Sequence, residues 1–305
     1  MVFCSEMAYH DALTVMQGLA ASDSEADPGS DLAPALALLG QIEPGARILD
    51  LGCGLGGGVT FLIARGFDAF GADIFEYWGN QAHLCWHKAR QPADVLARLT
   101  LAESASYRLP YPGNHFDHVI SMQVVEHLDD RAAVFAEVAR VLKPDGTSVH
   151  LYPDARRPFM EGHINVPFSA LCKNRAYLAL AAVLGFRSAR QQGLGWREVY
   201  RANRAQMEMT HYPPGRQVLR EVRAAGMAAR FAGRDYVMRS DTGWSKLHRE
   251  LSRFRLGWTV LLAGRMMLQP MLVTQKTRTA QAGRPSMMAA GAVSTPSPRS
   301  GSISS

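Results

Sequence analysis

The sequence predicts an α/β fold, a mostly parallel sheet with helices on its faces. Three observations carry this. The buried-type run Ala46 to Leu51 delivers the chain directly into a glycine-rich turn, Gly52-Cys53-Gly54-Leu55-Gly56-Gly57-Gly58. Short apolar runs then alternate with segments of helical spacing, the order that produces parallel strands joined by crossover helices. With 305 residues, 47% hydrophobic and 20% charged, the chain also has enough apolar material for a large core.

A helical lead is expected over residues 1–40, followed by the main domain over 41–278. After the first strand and its glycines, Val59 to Ala64 has helical spacing, Gly66 ends it, and Ala69 to Asp73 forms the second strand. Further strands are expected at Leu99 to Leu101, Asp117 to Ser121 and Thr147 to Tyr152, with a helix from Arg131 to Leu142. Lys143-Pro144-Asp145-Gly146 makes the intervening turn, with proline stopping the helix and Gly146 taking positive φ. Beyond Pro153 the pattern is less regular. Helices are expected near Ala170 to Leu184, at Gln217 to Ala225 and at Trp244 to Leu268, and strands at Met227 to Met238 and Met271 to Lys276. Residues 279–305 are mostly Ala, Gly, Ser, Thr and Pro and are expected to be a disordered tail.

The apolar stretch Leu256 to Val273 is interrupted by Arg265, Gln269 and Pro270, so it reads as core rather than as a membrane span. The N-terminus carries Glu6, His10 and Asp11 and lacks the pattern of a secretory signal; a cytoplasmic location is expected. The four cysteines Cys4, Cys53, Cys85 and Cys172 form no close pair, which argues against a disulfide framework or a zinc cluster. Charge is divided unequally: residues 1–186 hold 13 Lys and Arg against 21 Asp and Glu, whereas 187–305 hold 20 against 6. The basic half is equally a solvated surface and a region suited to an anionic substrate, an anionic lipid surface or nucleic acid.

Glycines at a strand-to-helix turn let the backbone approach a ligand closely, and free N–H groups there favour a carboxylate or phosphate. The spacing Gly52-x-Gly54-x-x-Gly57, with Asp73 21 residues after Gly52, also fits a dinucleotide fingerprint, so a nicotinamide or flavin ligand stays open on this motif alone. Asp50 shifts the balance. An acid inside the first strand is costly to bury without a partner, and a ligand bringing its own cation would supply one. S-adenosylmethionine has an α-ammonium and carboxylate for the glycine turn and a ribose diol for Asp73.

Arg47-Ile48-Leu49-Asp50-Leu51-Gly52-Cys53-Gly54-Leu55-Gly56 resembles the first motif of class I S-adenosylmethionine-dependent methyltransferases, particularly the small-molecule type 11-like group. Leu109-Pro110-Tyr111-Pro112-Gly113-Asn114-His115-Phe116-Asp117 resembles their loop before strand 4, and Val125-Glu126-His127-Leu128 and Val141-Leu142-Lys143-Pro144-Asp145-Gly146 are similar to two further signatures. The resemblance is strong over residues 40–152 and weak over 213–278. It implies a Rossmann-like class I methyltransferase fold, with a seven-stranded mostly parallel sheet, an antiparallel last strand and a lid insertion after strand 5. It assigns Asp50, Gly52, Cys53, Gly54 and Gly56 to the methionine end of the cofactor and Asp73 with Ile74 to the ribose side. Met122 and Gln123 form the floor beyond strand 4. Ala105 stands where many relatives have an acid for the adenine amine, so Glu103 or a backbone group near Ser106 takes that place. Asp145 replaces a usual glycine.

A sulfonium already activates its methyl group, so the protein must chiefly align an acceptor and exclude water. Histidine or a carboxylate helps if the acceptor is a hydroxyl. The insertion at about 153–212 is the candidate acceptor lid, and within it Glu161 and His163 are the candidate orienting acid and base. His127 is read mainly as orienting the site, and His150 as a core histidine. No metal is expected. The leading expectation is methyl transfer to a small or lipid-linked acceptor, anionic in view of the arginines and methylated at oxygen. The alternatives are a nucleic-acid methyltransferase, which lacks a recognised RNA-binding or base-methylation motif here, and a non-enzymatic or nicotinamide-binding Rossmann-like protein. A peripheral membrane contact is compatible with the basic half.

Overall fold

The computed structural model describes residues 29–54, 56–74, 93–102, 107–153, 164–169, 172, 174–188, 191–239, 246, 250 and 271–277. Most of the N-terminal lead, most of the expected helix Trp244 to Leu268, the tail 279–305, and the sites Glu103, Ala105, Ser106, Glu161 and His163 lie outside them.

The strands are β1 (Arg47–Leu51), β2 (Asp68–Ile74), β3 (Leu99–Ala102), β4 (Phe116–Met122), β5 (Leu142–Leu151), β6 (Met227–Phe231) and β7 (Met271–Lys276). They form one seven-stranded sheet in the order β3-β2-β1-β4-β5-β7-β6. Each pair from β3 across to β5 is parallel, while β7 runs antiparallel to both β5 and β6. The expected topology, with its single reversed last strand, is the observed one.

The helices are α1 (Gly29–Leu36), α2 (Gly57–Ile63), α3 (Ala93–Leu96), α4 (Arg131–Val141), α5 (Arg175–Val183), α6 (Trp196–Glu208), α7 (Gly215–Ala224) and α8 (Gly233–Arg239). The two-residue period of the strands explains how they cover the sheet. Ile48, Ile120, Val149 and Met271 pack with α1, α2 and Tyr236 of α8. Their neighbours Leu49, Val119 and Leu272 face the opposite way, into Val134, Phe135 and Val138 of α4 and Val218 and Val222 of α7. A central strand of this kind is apolar at successive positions because both faces are covered, which makes the acid at Asp50 conspicuous.

Three expectations need correction. Met227 to Met238 is not one strand: β6 stops at Phe231, the Ala232 amide donates to the Met271 carbonyl at 2.7 Å, and α8 follows. Gly233 and Asp235 fit a strand poorly, and the Tyr236 amide closes the first helical hydrogen bond onto Ala232. Next, Lys143 to Gly146 is not a free turn but the irregular start of β5, where the register with β4 shifts between Phe116 and His118. Asp145, at φ +65°, takes the left-handed conformation assigned to Gly146, which accounts for a glycine being usual at that place. Lys143 Nζ is bound to the Asp117 carboxylate at 2.8 Å and pins the bulge.

The third correction concerns the insertion. It contains α6, which the apolar pattern did not announce, because that helix buries Asn203 and Ala202 beside Val199 and Met207. Gln191 Nε2 donates to Asn203 Oδ1 at 2.6 Å inside the helical pair. α5 starts at Arg175, after Asn174, whose Oδ1 accepts from the Ala176 amide at 2.8 Å. Ile164, Val166, Leu178, Ala181 and Met207 make a small core of their own under α5 and α6.

Candidate functional site

At the end of β1 the chain reverses at Gly52, φ +75°, and the amides of Gly52 and Cys53 both donate to the Ala72 carbonyl at 2.7 and 3.2 Å. A Cβ on Gly52 would run into the Val124 side chain. The glycine is therefore required twice, by conformation and by the close approach of the turn after β4. Gly54 and Gly56 also have positive φ, and the Gly56 amide closes the loop onto the Cys53 carbonyl at 2.9 Å before α2 begins.

Asp50 sits beneath this loop, 5% exposed. A Cβ on Gly58 would strike its Oδ2, so the carboxyl lies directly against the start of α2. Among the described residues no hydrogen bond or ion pair reaches it. Burial first, and then the Asp73 carboxylate, push its pKa from 3.8 up to about 7. Asp73, at the end of β2, accepts from the Gly54 amide at Oδ2 and from its own neighbour Ile74 at Oδ1, each at 2.7 Å. It thereby fixes the loop geometry and holds a second negative charge beside Asp50. Ile74 follows as an exposed apolar side chain.

Cys53 is a packing residue rather than a nucleophile. Its thiol is buried beside Gly71, where an added Cβ would come within 2.7 Å of Sγ. Burial, Asp50 and Asp73 all push its pKa well above the usual thiol value.

From the next strand, Met122 ends β4 half-buried, and Gln123 turns the chain at φ +59° while its amide donates to the Leu151 carbonyl at 2.7 Å. A single tight helical turn, Val125–His127, follows. The predicted residues Asp50, Gly52, Cys53, Gly54, Gly56, Asp73 and Ile74 thus meet at the carboxyl ends of β1 and β2. Met122 and Gln123 border them through the contact of Val124 with the Gly52 turn. Sequence reading passed over Val124 and Gly58, since their role lies in space left for a distant partner.

The motif before β4 has a mechanical role. The Leu109 amide donates to Glu137 Oε1 at 2.7 Å, and Arg140 Nη2 donates to the carbonyls of Leu109 and Tyr111 at 3.1 and 2.8 Å. Tyr111 Oη lies 3.1 Å from Thr100 Oγ1. The loop is thereby fastened between α4 and β3.

His127 is exposed, and its Nδ1 lies 3.0 Å from the Met209 carbonyl. Since a carbonyl only accepts, Nδ1 carries the proton. The His211 amide donates to the Glu126 carbonyl at 2.6 Å, and His211 Nε2 lies 3.3 Å from Asp129 Oδ1. These contacts clasp the end of the insertion to the turn after β4, and they give His127 a bracing position. An open depression of about 500 Å³ is lined by Asp129, Arg131, His211, Tyr212, Pro213, Pro214 and Gln217. None of these belongs to the glycine loop, and Arg131 is already held by Glu221 at 3.0 Å.

His150 is a core residue as expected. It is fully enclosed between Ser121 Oγ at its Nδ1 and Ser148 Oγ at its Nε2, both at 2.7 Å, and Ser148 continues to Thr274 Oγ1 at 2.5 Å. Burial lowers its pKa to about 4. Among the described residues no group of three His, Cys, Asp or Glu is placed to hold a metal, and no helix is long and apolar enough to cross a membrane.

Residues 49–150 match the family model described as a methyltransferase domain. The chain is 31% identical over 106 residues to a sterol 24-C-methyltransferase of Gibberella zeae, covering 34% of this chain and 27% of that protein. It is 31% identical over 140 residues to a phosphoethanolamine N-methyltransferase of Triticum aestivum, covering 45% and 25%. With a ubiquinone biosynthesis O-methyltransferase of Dinoroseobacter shibae it shares 39% identity over 103 residues, covering 33% and 39%. The match therefore spans between a quarter and two fifths of these relatives' lengths, and their names include carbon, nitrogen and oxygen acceptors. The glycine loop, its two acids and the fastened loop before β4 all fall within the segment that matches the methyltransferase-domain model.

Proposed function

We propose that the chain methylates a small-molecule acceptor and that its cofactor lies across the ends of β1, β2 and β4. The observation that carries this reading is Asp50, a carboxyl 5% exposed, with no hydrogen bond from the described residues and a second acid nearby. Such a group is stable as an anion only beside a cation, and the α-ammonium of S-adenosylmethionine fits that need. The pyrophosphate of a dinucleotide would add negative charge to it. Asp50 and the loop from Gly52 to Gly56, with Cys53 as packing beneath it, would hold the amino-acid end. Asp73 would accept from the ribose hydroxyls, with Ile74 beside the base and Ser106 on the adenine side, and Met122 and Gln123 would form the floor. When bound, this cofactor supplies a methyl group already activated by a sulfonium.

The chain's own task is then alignment and water exclusion. The insertion after β5 covers the acceptor side, and His127 holds its far end in place. We assign acceptor deprotonation to His163, oriented by Glu161, for an oxygen acceptor that is small or lipid-linked and anionic. The arginine-rich second half supports the anionic preference. We also place the protein in the cytoplasm.

Calorimetry tests the cofactor: S-adenosylmethionine and S-adenosylhomocysteine should bind and NAD should not, and tighter NAD binding overturns the reading. His163→Ala should lower turnover by about a hundredfold with cofactor affinity intact; normal turnover would remove it as the base.

A further inference from the structure

The helical pair of the insertion has one end built unlike the rest of the described surface. α5 buries Leu178, Ala181 and Ala182. Leu180, Val183 and Leu184, on its other face, and Phe186 just beyond it are 41–65% exposed. Arg187 Nη1 donates to the Leu194 carbonyl at 2.9 Å, which folds the connection so that the start of α6 lies at this same end. There Trp196 is also exposed, with the Arg197 guanidinium 4.9 Å from its ring centroid. Five large apolar side chains left in water at one end of a domain mark an interaction surface.

Charge identifies the occupant. From Gly162 to Arg197 the sequence has five basic residues, Lys173, Arg175, Arg187, Arg190 and Arg197, and no acid. A second copy seated on this face would bring arginines against arginines across the two-fold axis, a costly arrangement when the one acid beside them, Glu198, already accepts from the Gly195 amide at 2.8 Å. A bilayer with anionic headgroups satisfies both features. Leucines, valine and phenylalanine enter the acyl boundary, tryptophan takes the interfacial level, and guanidinium groups meet lipid phosphates.

We infer that the exposed end of the α5–α6 pair, formed by Leu180, Val183, Leu184, Phe186 and Trp196 and flanked by Arg187 and Arg197, is a docking surface for an anionic membrane. This docking does not depend on the methyl-transfer reading. Coupled to it, docking sets the acceptor-covering insertion at a source of lipid-soluble acceptors.

The test is co-sedimentation of the full chain with phosphatidylcholine vesicles, alone or mixed with phosphatidylglycerol. Binding to the mixed vesicles is expected, weakened by added salt. Leu180→Gln with Leu184→Gln, and separately Arg187→Glu with Arg197→Glu, should each reduce it by about tenfold or more, with circular dichroism and cofactor affinity unchanged. Absence of wild-type binding overturns the inference, as does binding by both double variants at the wild-type level. It is also overturned if the wild type is a dimer that Leu180→Gln with Leu184→Gln converts to a monomer, because the face would then be a self-interface. Failure of the wild type to bind S-adenosylmethionine would refute the proposed function and leave the vesicle result readable.

Discussion

Replacing Asp50 by Asn removes a charge while keeping shape, and the structure sets the size of the effect. The carboxyl's rise from 3.8 to about 7 corresponds to roughly 4 kcal/mol of disfavoured ionisation in the ligand-free site. Because the folded value lies above the unfolded one, the folded chain holds the proton more tightly across that window. This contribution is therefore fully present below the unfolded value and is lost as pH rises towards about 7. Asp50→Asn should accordingly gain stability relative to the wild type between acid and mildly alkaline pH, by up to roughly 4 kcal/mol in denaturant melts. It should at the same time bind S-adenosylmethionine at least about tenfold more weakly, having lost the anion that pairs with the ammonium. In the wild type, binding should release close to one proton at about pH 6 and close to none well above pH 7, read by calorimetry in buffers of different ionisation enthalpy. Equal proton release at both pH values, together with unchanged affinity in the variant, would refute the assignment of Asp50 to the cationic end of the cofactor.

Asp73→Ala should weaken cofactor binding by about 1 to 3 kcal/mol, measured by the same calorimetry, and unchanged affinity would remove Asp73 from the ribose site. Gly52→Ala should destabilise the fold by about 2 to 4 kcal/mol, from the clash with Val124 and the positive φ together. Adding Val124→Ala should recover the steric part only, which thermal melts of the two variants will separate. His150 makes the opposite pH contribution to Asp50: its folded pKa, about 4, lies below the usual 6.5. The unfolded chain then binds more protons in that window, so stability falls as pH drops through it, by roughly 3 kcal/mol in all. In Asp50→Asn this acid-side loss should appear undiluted, and in His150→Leu it should vanish from the melting profile.

Much of the sheet could be read from the sequence because its central strands are buried on both faces. Ile48, Leu49, Val119 and Ile120 leave runs that no amphipathic helix would carry. The candidate site stands out in the sequence for a related reason, since Asp50 and the glycines break local rules in ways that a ligand or a close approach explains. What escaped has nonlocal causes. α6 packs through a buried amide pair, Gln191 with Asn203, which no apolar period announces. The end of β6 depends on where β7 offers a carbonyl at Met271. The need for Gly52 to lack a side chain depends on Val124, 72 positions later in the sequence.

On the proposed reading, in which the insertion covers the acceptor, the clasp between the turn after β4 and the end of the insertion bears on how such a protein changes that acceptor. On the insertion side its main-chain contacts are the Met209 carbonyl and the His211 amide, beside one exposed side-chain contact from His211 to Asp129. The first two are backbone groups that nearly any residue supplies, whereas the helical pair before them rests on a small core of its own. The pair therefore behaves as a cassette: its side chains can be rewritten wholesale provided that the chain re-enters the domain with one acceptor and one donor at this spacing. Chimeras joined just after His211 should fold with a foreign helical pair, while those joined inside α6 would leave half of the small core without its other half.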